Sequence, residues 1–118
     1  EGVIKNLDKA DDFTTGILRN VEIDQFVRRK SQVLDKIEAA RKRYPSKAGM
    51  PLQEHHIVPK HLGGDPIGPT IFIDPAYHQE ITNAFNRAWG HGSNRLPEQN
   101  ELEAIMKSVY SNFPLYYE

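Results

Sequence analysis

The sequence predicts a small α+β domain. Three observations lead there. Apolar side chains recur at helical spacing over about residues 24–44, 74–89 and 97–113. The run Thr70-Ile71-Phe72-Ile73 is β-branched and aromatic, between Pro69 and Asp74, and reads as a strand. A second short extended run, Gln53 to Val58, is separated from it by the turn signal Gly63-Gly64-Asp65-Pro66. The order is helix, strand, strand, helix, helix, and 118 residues suffice for one domain with a core of its own.

Each element has a local cause. Over residues 1–20 there is no clean period; Val3, Ile4 and Leu7 could open a short helix, and Asp11-Asp12-Phe13-Thr14-Thr15-Gly16 reads as a turn. Asp24 is a candidate N-cap for the first long helix. Its stripe is Phe26, Val33, Ile37, Ala40 and Tyr44, with Val27 and Leu34 at the edge, and Pro45 stops it. Asp74-Pro75 supplies an N-cap and a proline at the first helical position for the next helix. That helix carries Tyr77, Ile81, Ala84, Phe85 and Ala88 on one face, up to the break at Gly90-His91-Gly92. The last helix has the stripe Leu102, Ile105, Met106, Val109 and Phe113, with Glu98, Glu101 and Glu103 in its first turns, where the helix dipole favours anions.

Composition narrows the function classes. Without cysteine there is no disulfide framework and no thiolate-held zinc. No apolar run reaches the roughly 18 residues that span a bilayer. The first residues lack the basic and apolar regions of a secretory signal, and the absent initiator Met suggests a domain cut from something longer. Net charge is −1, but it is unevenly spread. Residues 1–24 hold six acids against three bases, residues 25–60 nine bases against three acids, and residues 61–118 three bases against seven acids. The basic middle, Arg41 to Lys47 and Lys60 above all, is expected to contact phosphates, or else to be a solvated helix face.

Chemistry concentrates at Glu54-His55-His56-Ile57-Val58-Pro59-Lys60-His61-Leu62-Gly63-Gly64, followed by the strand at Thr70–Ile73 and a helix bearing His78. Side chains alternate along a strand, so His55 and His56 point to opposite sides unless the strand ends or bulges there. Phosphodiester hydrolysis needs a base for water and charge neutralisation at phosphorus and at the leaving oxygen. Neutral imidazole suits the first task near pH 7, and imidazoles can hold a metal for the second.

The run His55-His56-Ile57-Val58-Pro59, then Gly63-Gly64, then Tyr77-His78 resembles the ββα-metal motif of HNH (His-Me finger) endonucleases, including the DNase colicins. From His55 through Asn83-Ala84-Phe85 it is similar to the HNH toxin domains at the C-termini of bacterial Rhs and other polymorphic toxins. The resemblance implies a ββα-metal finger at about residues 52–90, between flanking helices at about 24–44 and 97–113. It implies one divalent cation (Mg²⁺, Mn²⁺, Ni²⁺ or Zn²⁺) held by His55 and His78, with His56 as general base. It further implies DNA as substrate, a cognate immunity protein as partner, and delivery as part of a larger toxin into a target cell's cytoplasm. An RNase of the same fold, or a non-catalytic metal-stabilised interaction module, are the alternatives. Two positions depart from the pattern. The Asn usual after the Gly-Gly turn is replaced within Ile67-Gly68-Pro69-Thr70, so nothing in the sequence names the group that orients His56. The second helix histidine of the colicins is Thr82 here.

Other residues carry weaker expectations. Lys60 and Arg87 are candidate phosphate contacts. His61 and His91 read as loop residues, with a third ligand or a phosphate contact the alternative for His61. Glu54 could support a histidine, Asp74 is explained by capping, and Gln79, Thr82 and Asn83 could line the cleft. Trp89, Tyr110, Phe113, Tyr116 and Tyr117 read as packing residues.

Overall fold

A computed structural model describes residues 23–90 and 92–117. The expectations for residues 1–20 and for His91 lie outside these. Among the described residues the domain is α+β, with three α-helices and two small sheets. The chain enters through a 3-10 turn at Ile23–Phe26 and strand β1 (Val27–Arg29). Helix α1 (Leu34–Arg43), strand β2 (Gln53–His56), strand β3 (Thr70–Ile73), helix α2 (Pro75–Ala88), helix α3 (Gln99–Asn112) and strand β4 (Leu115–Tyr117) follow. Strands β2 and β3 pair antiparallel, with His55 opposite Ile71 and His56 opposite Thr70. Strands β1 and β4 pair in parallel, Val27 opposite Leu115.

The first helix is ten residues shorter at its start than its periodicity suggested. Phe26 is buried as the stripe requires, but a 3-10 turn delivers it, and Val27–Arg29 is spent on the β4 ladder. A tertiary partner at the far end of the sequence outweighed local propensity. The partner strand Leu115–Tyr117 was itself absent from the sequence reading. Tyr116 there is fully buried, and Tyr117 is 64% exposed. The other elements lie within two residues of their expected bounds.

Helix α2 is the axis of the domain. Asp74 caps it, accepting from the amides of Ala76 and Tyr77 at 2.9 and 3.1 Å. Its buried face (Ala76, Tyr77, Ile81, Phe85) meets Ile37 and Ala40 of α1 and Leu102, Met106 and Tyr110 of α3 in one core. Each large apolar side chain so buried contributes roughly 1.5–3 kcal/mol. Two ion pairs reinforce the α1–α2 seam. Arg41 Nε donates to the buried Asp74 carboxylate at 2.7 Å, and Arg43 pairs with the buried Glu80. Asn83 donates to the Tyr44 hydroxyl at 2.9 Å and accepts from Gln79. Part of the basic middle segment is therefore structural.

The connection from β2 to β3 is tightly built. The backbone folds back at Pro59, whose carbonyl accepts from both Leu62 and Gly64 at 3.0 Å. Gly63 sits at φ 97°, in the left-handed region that favours glycine. At Gly64 a Cβ would lie 2.1 Å from the Val58 carbonyl oxygen, so no other residue fits without moving backbone. Asp65 then closes a turn on itself: its side chain accepts from the Ile67 amide at 2.9 Å and its carbonyl from Gly68 at 2.8 Å. The result is a fixed orientation for the Pro66 carbonyl.

Candidate active site

β2, the turn after it and α2 enclose a cleft of about 350 Å³. His55, His56 and His78 all line it, with Lys60 and Glu54 at its exposed rim and Thr82, Phe85 and Asn86 of α2 along one wall. Adjacent histidines reach one cleft because β2 ends at His56. His55 points inward and is 5% exposed, while His56 turns along the opening.

Each imidazole has one ring nitrogen tied to an oxygen, and the partners fix the tautomers. Tyr110 Oη lies 2.9 Å from His55 Nε2 and gives its own hydrogen to the Ile57 carbonyl at 2.6 Å. The hydroxyl oxygen therefore accepts from His55 Nε2–H, and Nδ1 keeps its lone pair. His56 Nε2 lies 3.0 Å from the Pro66 carbonyl, which can only accept, so Nδ1 is the basic nitrogen. His78 Nδ1 donates to Gln53 Oε1 at 2.9 Å, which leaves Nε2 with the lone pair. The rings of His55 and His78 meet edge to face with centroids 5.0 Å apart.

Electrostatics keep the inner pair neutral. Burial lowers the His55 pKa to about 3, and the neighbouring His78 and His56 add to the effect. Burial also lowers the pKa of His78, with a smaller contribution from the charge of Lys47. Neutral imidazoles with fixed tautomers are what metal ligation requires. Among the described residues, no group of three or more His, Cys, Asp or Glu is arranged to hold a metal ion.

No family model, curated protein or solved structure matches this chain.

The remaining candidates divide clearly. Lys60 is exposed at the cleft and Thr82 lines it. Arg87 is not brought to it; it borders a separate hollow between α2 and α3, with Ser108 and Asn112. Gln79 and Asn83 serve the α1 seam instead. His61, expected as a loop residue, sits half-buried on the cleft wall with Nε2 3.2 Å from the Trp89 carbonyl. Glu54 stands on the outer face of β2 opposite Phe72. Trp89 packs against the core and under the Arg95 guanidinium, 4.9 Å from its centroid. Two groups escaped the sequence reading: the Pro66 carbonyl and the Tyr110 hydroxyl. A proline carbonyl has no sequence signature. A tyrosine read as a packing residue does carry a signal, because its hydroxyl must find a partner when buried.

Proposed function

We propose that this chain is a metal-dependent endonuclease that hydrolyses phosphodiester bonds of DNA, and that β2, β3 and α2 are its ββα-metal finger. One observation carries the reading. Four histidines line one cleft, and in three of them, His55, His56 and His78, one nitrogen is committed to an oxygen and the other is left as a lone pair. His56 Nδ1 takes the proton of an attacking water as a new P–O bond forms and the bond to the leaving oxygen breaks. The Pro66 carbonyl faces the opposite nitrogen, so it holds the ring in place and stabilises the imidazolium that results. His55 Nδ1 and His78 Nε2 would hold the cation. When bound, a divalent cation supplies charge neutralisation at the phosphorane and the leaving oxygen. The donor set fits such an ion, because both imidazoles are neutral and each is oriented by an oxygen at its other nitrogen. Nitrogen donors favour Mn²⁺, Ni²⁺ or Zn²⁺ over Mg²⁺, which prefers oxygen. Lys60 supplies a cationic contact for a phosphate at the rim.

Supercoiled plasmid and total RNA, incubated with the purified domain and each metal or EDTA, test this directly. Nicking of the plasmid is expected with a transition metal and not with EDTA. Lys60→Ala should slow cleavage more at low substrate than at saturation. No nicking in any metal lane would end the proposal, and cleavage of RNA alone would transfer it to RNA.

The motif also supports a place among toxin domains, delivered into a competitor's cytoplasm and neutralised at home by an immunity protein. Expression of the domain alone should then arrest bacterial growth. Healthy growth at high expression of an active domain would remove the need for an inhibitor.

A further inference from the structure

We propose that Tyr110, on the last helix, is a positioning residue for the cleft: its hydroxyl fixes which nitrogen of His55 is presented to a ligand. The proposal rests on the metal-site reading above for its consequence, but its geometry stands by itself. Tyr110 is 2% exposed and packs against Phe26 and Phe85, with ring centroids 5.0 and 5.4 Å away. The ring cannot swing out, so its hydroxyl has a fixed position. The carbonyl of Ile57, two residues after His55, takes the hydroxyl hydrogen at 2.6 Å. Ile57 is itself held, through its amide, by the Pro69 carbonyl at 3.1 Å. The hydroxyl can therefore only accept at His55, and the imidazole must place its proton on Nε2.

Free imidazole exchanges its proton between the two nitrogens. A ligand-binding ring that does so is blocked whenever the proton sits on the ligating atom. A phenol wired to a backbone carbonyl removes that state, and a methylene or apolar side chain of the same size would not. This explains why the buried face of α3 carries a tyrosine at position 110 where packing alone would accept phenylalanine. The last helix thus takes part in the site although it contributes no residue to the cleft lining.

The test uses Tyr110→Phe, with Tyr77→Phe as control. Tyr77 is equally buried and also donates its hydroxyl to a backbone carbonyl, Pro114 at 2.6 Å, but it does not touch a histidine there. Nitrogen NMR of the metal-free protein at pH 7.5 reads the tautomer of His55, and calorimetric titration with Zn²⁺ reads affinity. The parent should show His55 protonated at Nε2 only. Tyr110→Phe should show a mixed or reversed tautomer and a 10–100-fold weaker Kd for Zn²⁺. Tyr77→Phe should change neither. A parent His55 protonated at Nδ1 would overturn the proposal, whether or not the Phe variant folds. So would a Phe variant with unchanged tautomer and unchanged Kd. If the parent binds no Zn²⁺, the metal-site reading falls, while the tautomer measurement still decides the role of Tyr110.

Discussion

His56→Ala should lower plasmid nicking by roughly 10²–10⁴-fold while leaving the fold and metal affinity intact. The side chain lies at the end of β2, partly exposed, and its one bond is to the Pro66 carbonyl. Its loss opens no hole in the core. His55→Ala should behave differently. It removes one of the two imidazoles proposed to hold the cation and takes away the partner of the Tyr110 hydroxyl, so metal affinity and activity should fall together. Calorimetric titration of both variants beside a nicking series separates the roles. Metal binding lost in His56→Ala and spared in His55→Ala would invert the assignment. Normal cleavage by both would remove the histidines from the chemistry.

The metal-free protein should be markedly less stable in mild acid, and His55 should be the main reason above the carboxylate range. Burial lowers its pKa from 6.5 to about 3. Between those values the unfolded chain binds a proton that the native chain refuses. Stability is therefore full above pH 6.5 and declines as pH falls, until the native ring also protonates near pH 3. At 1.36 kcal/mol per unit the loss is about 2 kcal/mol at pH 5 and on the order of 5 kcal/mol at the limit. His78 is shifted in the same direction and adds to it. Thermal melts in EDTA from pH 7.5 to pH 5 should show Tm falling by roughly 10 °C. His55→Gln removes the titrating group and should flatten much of that slope. Equal slopes in parent and variant would show that His55 is not responsible.

The histidines, the Gly-Gly turn and the capped helix at Asp74 were legible because each follows from local chemistry. A glycine is needed where a Cβ meets backbone at 2.1 Å, and Asp74-Pro75 supplies both the cap and the first residue of α2. What escaped depended on distant partners. Val27–Arg29 is extended only because Leu115–Tyr117 lies beside it. Arg41 and Arg43 looked like phosphate contacts until Asp74 and Glu80 were seen to claim them. Arg87 occupies the right helix but the wrong side, since helical spacing gives faces without saying which face meets the cleft. The Asn expected after the Gly-Gly turn is missing, and His56 meets the Pro66 carbonyl instead, a backbone contact that side-chain identity cannot reveal.

The parallel pairing of β1 with β4 also sets an order of events during synthesis. Chains emerge at about 5–20 residues per second, N-terminal end first. The His55-His56 pair and the helix with His78 are all made well before residues 99–117. Until those appear, β1 has no ladder partner and the inner imidazole has no phenol beneath it. Joining strands so far apart also carries a loop-closure cost that grows with their separation. The ribosome-bound chain would hold every proposed catalytic side chain and still lack the framework that aligns them, so the site matures only as its last helix and strand dock.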